Sequence, residues 1–303
     1  MRGSKGRRAA AALAALFICA PAAAKDYVFG SWFGANHSVN VHGLAPYFDR
    51  LREATGGSVS WKLVPGAQIS SGPGTPEAVG SGLMDGGIAI APYQPSMLPN
   101  TNLIFSHSLP GGDVLAAAGA MNETLMLGCP GCRAEFRANG AVGFGGYATT
   151  PYRFMCRGAP RTVGDMAGLK VRATGGGVNI VKIAGAVPVA MAPAEATTGL
   201  ERGTLDCVLG AVSWLKSYGY MDVVETVIDS PMGIAGPPVL MYLNREAWFA
   251  MTAEERARHI ELAPDLVAGA VIDGQIGIDT VVLADARAAG ITFVPDSAEW
   301  SAI

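Results

Sequence analysis

Leu169-Lys-Val-Arg-Ala-Thr-Gly-Gly-Gly-Val-Asn-Ile-Val-Lys-Ile-Ala-Gly-Ala-Val-Pro-Val189 reads as a strand, a glycine-rich turn, a helix and a second strand. The strands are Leu169 to Arg172 and Val187 to Val189, and the helix spans about Val178 to Ala184. A helix between two short apolar strands is the unit of a parallel sheet covered by helices. A helix at Ala194 to Arg202 and a strand at Leu205 to Leu209 continue the alternation. Arg172 leaves the first strand and enters the glycines. A guanidinium there offers a permanent charge and two parallel N–H donors, beside backbone amides free to face an anion, which suits a carboxylate. A strand-end salt bridge to a neighbour fits the same local sequence. In open α/β sheets ligands bind beyond the carboxyl ends of strands, so the position favours the carboxylate. Gly175 to Gly177 reads first as a tight turn and second as a set of N–H donors.

The same alternation governs the N-terminal half. Tyr27 to Phe33 is a strand, followed by a turn with Gly34, Asn36 and Ser38. A helix from about Asn40 to Ala54 puts Val41, Leu44, Phe48 and Leu51 on one face and stops at Thr55-Gly-Gly57. Val59 to Val64 alternates as a strand, Ala67 to Gly74 is loop, Pro76 to Leu83 is a short helix, and Gly87 to Ala91 is a buried strand. Asp113 to Ala138 is helical with a break at Pro130. Val142 to Gly146 is a strand and Thr150 to Arg157 is extended. Trp214 and its flanks are helical, and Val239 to Leu243 is a strand. Thr252 to Ala289, opened by the capping box Thr252-Ala-Glu-Glu255, is a long helical region before a last strand at Ile291 to Val294. No flexible linker interrupts the chain, so two α/β units joined more than once are expected.

Composition narrows the function. Residues 1–24 have a basic start (Arg2, Lys5, Arg7, Arg8), a short apolar stretch Ala9 to Ala20, and small residues Pro21-Ala-Ala-Ala24, the pattern of an export signal cleaved before Lys25. That segment holds four of the 22 Lys+Arg and none of the 25 Asp+Glu, so the rest carries 18 against 25, a net −7. An acidic chain without a basic run has no electrostatic footprint for nucleic acid. No later stretch reaches membrane-spanning length without a charge, Gly or Pro, so no direct membrane insertion is expected. Four cysteines follow Lys25. Cys129-Pro-Gly-Cys132 is a CxxC, expected to be a structural disulfide, with thiol–disulfide oxidoreductase chemistry as the rival; the pairing of Cys156 and Cys207 stays open. His37, His42, His107 and His259 show no metal-ligand spacing, and Ser and His never meet in a nucleophile motif. No metal, cofactor or catalytic residue is expected.

Several elements together resemble one family. Thr162-Val-Gly-Asp-Met-Ala-Gly-Leu-Lys-Val-Arg172, then Ala184-Gly-Ala-Val-Pro-Val-Ala-Met-Ala-Pro-Ala-Glu195, then Leu200-Glu-Arg-Gly-Thr-Leu-Asp206 are similar to the DctP-like solute-binding proteins of tripartite ATP-independent periplasmic (TRAP) transporters. Ala78-Val-Gly-Ser-Gly-Leu-Met-Asp-Gly-Gly-Ile88 resembles another of its elements, and the similarity fades after Glu246. The resemblance implies an α/β, two-domain periplasmic solute-binding protein fold. Each domain would be a mixed or parallel sheet flanked by helices, with hinge strands and a long connecting helix. In those terms 1–24 is the signal peptide, 25–150 mainly domain I, 151–238 mainly domain II, and 239–303 a hinge strand and helices crossing back over both.

It further implies a periplasmic, non-enzymatic protein that holds a small organic acid between its domains and passes it to TRAP membrane subunits; a ligand-sensing receptor of the same fold is the alternative. The family's strand-end arginine falls on Arg172, and Arg153 stands where a second arginine often lies, with a salt bridge as its other reading. Around them we place Asn36, Tyr93, Tyr147, Ser213 and Trp214, each equally open to an ordinary packing role. Two departures, Cys-Val-Leu-Gly210 after Asp206 and Pro193 where a phenylalanine is common, imply a less polar pocket. The chain also stops soon after Trp300, where relatives often continue with more helix.

Overall fold

Lys25–Gly30 (β1) lies parallel to Val59–Val64 (β2), with Lys25 opposite Val59 and Gly30 opposite Val64, and parallel to Gly86–Ile90 (β3) on its other side. The helix that links β1 to β2 is Ala45–Ala54 (α1), and Thr75–Gly80 (α2) links β2 to β3. This computed structural model describes residues 25–106, 113–236 and 238–303; the proposed leader and His107 lie outside them. Pro99–Phe105 (α3), Val114–Glu123 (α4) and Pro130–Ala138 (α5) lead to Ala141–Gly146 (β4). The strand Pro238–Asn244 (β10) enters antiparallel between β3 and β4, giving the order β2-β1-β3-β10-β4.

The second sheet has the order β11-β9-β5-β8-β6-β7. Arg153–Cys156 (β5) is antiparallel to Cys207–Gly210 (β8) and to Thr226–Asp229 (β9). Lys170–Arg172 (β6) is parallel to β8 and to Val187–Val189 (β7), as the βαβ reading requires, with Gly177–Ile183 (α6) as the crossover and Pro193–Arg202 (α7) following. Trp214–Ser217 (α8) caps the run after β8. After β10 come Arg245–Ala250 (α9), Ala253–Glu261 (α10) and Ala263–Ala268 (α11). Ile278–Ala288 (α12), Thr292–Pro295 (β11) and Ala298–Ser301 (α13) complete the chain.

Each sheet with its helices makes a lobe, and the chain passes between lobes three times: from β4 to β5, from β9 to β10, and along the C-terminal helix. That helix runs unbroken from Ala253 to Ala288. Its length and apolarity would suffice to cross a membrane, yet Leu266, Ala270 and Val271 complete the first lobe's core and Val282 and Ala286 the second's. Between α11 and α12 the helix widens to a π-type stretch, Gly269–Gly277. It packs on a second π-type stretch, Val39–Leu44, that opens α1. A Cβ on Gly269 would overlap the His42 carbonyl, so glycine permits this approach.

Several expected boundaries move. β1 ends at Gly30 instead of Phe33 because the Asn40 side-chain amide takes the carbonyls of Phe33 and Gly34, freeing Trp32 and Phe33 from the ladder. β8 begins at Cys207 instead of Leu205, because the amides of Thr204 and Leu205 close the end of α7 on the Gly199 carbonyl, with Gly203 left-handed. The sequence reading did not anticipate β9, α3 or α9.

Both cysteine pairs are bonded. Cys156 and Cys207 sit directly opposite on β5 and β8, 51 residues apart, and Cys129 bridges Cys132 at the start of α5. Cys129 is 7% exposed and Cys132 0%, so the bonded pair is largely withdrawn from solvent at the helix start. Because a crosslink restricts the unfolded chain more as its loop lengthens, replacing Cys156 and Cys207 by alanine should cost about 2–5 kcal/mol. The Cys129/Cys132 double alanine should cost less. Urea unfolding of the two variants beside the parent checks the order.

Candidate functional site

The carboxyl ends of β1, β3 and β4 in one lobe face those of β6 and β8 in the other, and aromatic side chains crowd the gap. Trp32, Phe33 and His37 follow β1, Tyr93 follows β3, and Tyr147 and Tyr152 follow β4. From the second lobe come Arg172 at the end of β6 and Trp214, Tyr218 and Tyr220 after β8. Arg172 is 1% exposed. Its Nε donates to the Met191 carbonyl at 2.8 Å, and Nη2 reaches the Tyr93 hydroxyl at 3.3 Å and Thr174 Oγ1 at 3.4 Å. The guanidinium stands 5.2 Å from the Trp214 ring, a cation–π distance. Nη1 donates to no protein group among the described residues.

The contacts close into a circuit. Trp214 meets Tyr218 at 5.7 Å between ring centroids, Tyr218 meets His37 at 5.5 Å, and His37 stacks on Phe33 at 3.9 Å. Phe33 touches Trp32 at 4.1 Å, Trp32 touches Tyr93 at 5.9 Å, and Tyr93 returns to Arg172. Two links cross between lobes: Tyr93 to Arg172, and the His37 Nε2 to the Tyr218 hydroxyl at 3.4 Å. Since His37 Nδ1 accepts from the Val39 amide, the proton belongs on Nε2, which then donates to Tyr218.

Burial sets the protonation states. It pushes His37 down to about 3, so the ring is neutral at neutral pH. Burial raises the Tyr93 hydroxyl, the Arg172 charge and hydrogen bond pull it back, and Glu195 pushes it up again. Tyr152 rises to about 12, chiefly through burial, and Tyr147, Tyr218 and Tyr220 also rise for that reason. All five tyrosines remain neutral donors. Among the described residues no three His, Cys, Asp or Glu converge as metal ligands would.

The residues singled out from sequence separate into two sets. Arg172, Tyr93 and Trp214 lie together in the circuit. Tyr147 is buried beside Tyr93 and Tyr152, and burial raises its hydroxyl. Arg153 is engaged elsewhere: its Nε binds Asp229 Oδ1 at 2.8 Å, with Arg287 3.6 Å from the other oxygen, so the salt-bridge reading describes its geometry. The Ser213 amide donates to Asp279 on the long helix at 2.9 Å, tying α8 to that crossing. Asn36 is exposed at the rim of a cavity of about 500 Å³ that His37 also lines, with His42, Lys216 and Ser217. Glu195 caps its own helix through the Ala192 amide. Trp32, Phe33, His37, Tyr152, Tyr218 and Tyr220 escaped the sequence reading. Their common signal was aromatic residues just after strands, which core packing also produces.

Gly210 sets Trp214 in place, since a Cβ there would overlap the indole. Gly210→Ala is expected to cost about 1–3 kcal/mol through overpacking and to displace the indole. Near-ultraviolet circular dichroism and urea unfolding check it together.

Residues 30–267 match the family described as bacterial extracellular solute-binding protein, family 7 (DctP). Among solved structures, a TRAP periplasmic solute-binding protein from Bordetella bronchiseptica with bound (R)- and (S)-mandelate superposes with a TM-score of 0.80 at 23% identity, over 92% of this chain and 87% of that one. A marine metagenome TRAP solute-binding protein specific for aromatic acid ligands, with 3-hydroxybenzoate, gives 0.79 at 18% identity over 92% and 87%. A third, from Xanthobacter autotrophicus with bound β-D-galacturonate, gives 0.76 at 20% identity over 91% of each chain.

Proposed function

The chain belongs to the bacterial extracellular solute-binding proteins of family 7, and we propose that it is an exported, periplasmic receptor that encloses a small organic acid between its lobes and delivers it to TRAP membrane subunits. Residues 25–150 and 151–238 would form the two jaws, with 239–303 crossing back over both, after removal of residues 1–24. The observation that carries the reading is Arg172, a buried guanidinium with one nitrogen unengaged, placed at a strand end where the two lobes meet. A carboxylate supplies the planar pair of acceptors that such a fork lacks. The structural relatives bind mandelate, 3-hydroxybenzoate and galacturonate, each of which carries a carboxylate. Membership of a transport-receptor family supports a non-catalytic role.

Tyr93, Tyr147 and Trp214 would wall the ligand, while Arg153, Ser213 and Asn36 would act at a distance through the hinge and the rim. Because His37–Tyr218 and Tyr93–Arg172 join the lobes, ligand that bridges them would select the closed form.

Titration calorimetry against a panel of organic acids, preceded by a thermal-shift screen, tests the reading. Arg172→Ala should weaken binding at least a hundredfold, in line with about 3–5 kcal/mol for stranding a buried carboxylate, and Arg172→Lys should fall between. A panel that yields no binding acid would overturn it.

Binding should also weaken in acid. His37 sits near 3 in the closed form, whereas a hydrated imidazole in an open form titrates near its ordinary value of 6.5. Below that value closure must expel a proton, so affinity is retained above pH 6.5 and lost as pH falls. From pH 7.5 to 5.5 the loss should be about tenfold. Calorimetry at the two pH values, with His37→Phe as the flattened control, measures it.

A further inference from the structure

We infer that the enclosed ligand is an aromatic monocarboxylate, with its single charge on Arg172 and an uncharged flat ring against the aromatic circuit. The inference rests on the proposed organic-acid site and narrows it to one chemical class.

Charge is the first ground. Arg172 is the one cation in the circuit of Trp214, Tyr218, His37, Phe33, Trp32 and Tyr93. The end of the circuit across the lobes from the guanidinium is His37, held neutral by burial. Arg153, the nearest second arginine in the sequence reading, is spent on Asp229. The other ionised group that acts on Tyr93 is Glu195, and it is negative. A second ligand carboxylate would therefore be buried without a counter-charge and against a negative field, a large desolvation cost.

Hydrogen bonding is the second ground. A polyhydroxylated acid needs many polar partners, preferably planar amides and carboxylates that take two hydroxyls each. Two amides beside the rings, those of Asn40 and Gln94, are committed to the protein itself. Asn40 serves the carbonyls of Phe33 and Gly34 and the Ser31 hydroxyl, and Gln94 serves the Pro73 carbonyl. Of the tyrosines, Tyr220 spends its proton on the Pro193 carbonyl, while Tyr218 and Tyr93 accept from His37 and Arg172 and keep one O–H each. With Tyr147 and Tyr152 they leave single hydroxyls, one-point partners and not the planar two-point acceptors that a polyol's many O–H groups favour. What the wall offers in quantity is ring faces and edges, which pair with an aromatic ligand beyond simple area burial.

The test compares ligands that differ in ring, charge and hydroxyl count on the purified protein by calorimetry: benzoate, 3-hydroxybenzoate and mandelate against cyclohexanecarboxylate, succinate and galacturonate. The same series is run on Arg172→Ala and Trp214→Leu. At least one aromatic acid is expected to bind tenfold or more tightly than cyclohexanecarboxylate, succinate and galacturonate. Trp214→Leu should shrink the margin over cyclohexanecarboxylate, and Arg172→Ala should abolish binding of all. If succinate or galacturonate binds as tightly as the best aromatic acid, and Arg172→Ala removes it, the inference falls while the receptor reading stands. Equal binding of cyclohexanecarboxylate and the aromatic acids sinks the ring argument alone. No binding by any of the six overturns both.

Discussion

A guanidinium withdrawn from water with part of its hydrogen-bonding capacity unused is the constraint around which this molecule is arranged. Burying an ion costs several kcal/mol even after relaxation, unless charge and hydrogen bonds are returned to it. Arg172 recovers part of that from the Met191 carbonyl, the Thr174 and Tyr93 hydroxyls and the face of Trp214. None of these carries a full negative charge. The residual deficit is what the proposed carboxylate would fill, and it also explains the surrounding detail. Gly210 must stay bare so that the indole can lie under the cation, and β6 must end where it does so that the side chain enters the gap.

The lobes contribute unequally to this arrangement. The second supplies the charge and the indole from two parallel neighbours, β6 and β8, whose positions are fixed by a ladder and by the Cys156–Cys207 staple one strand further on. The first supplies rings on the loops after β1 and β3. The wide helical turn at Val39–Leu44 follows the β1 loop and abuts its counterpart on the long helix. Charge is thus held at the end of a laddered strand, and the rings that face it sit beside the crossing point.

Local patterns in the chain carried the βαβ units, the long C-terminal helix and the placing of Arg172, because each depends on periodicity or strand-end spacing within about twenty residues. The partner of Arg153 could not be read this way. Asp229 ends β9, a four-residue strand whose pairing with β5 joins positions far apart in the chain. The aromatic circuit was equally hidden. Phe33 and Tyr93 resemble core residues in sequence, and only tertiary placement shows that Tyr93 reaches Arg172 and that His37, stacked on Phe33, meets Tyr218 of the opposite lobe. His37 showed no metal-ligand spacing in the sequence and is buried by its surroundings, yet it bridges the lobes. The short extent of β1 followed from one side-chain amide, Asn40, acting where no propensity scale looks.

The three passages of the chain between sheets have a consequence for how such receptors diversify. Neither lobe is a continuous cassette, since β10 belongs to the first sheet and β11 to the second although both come from the C-terminal part. A recombination event that exchanged one lobe for another would have to splice at three junctions at once and preserve the helix shared by both cores. Inheritance of a new ligand preference by lobe exchange is therefore closed to this topology. Change must accumulate one side chain at a time around the cleft, which leaves the architecture recognisable long after sequence identity has decayed.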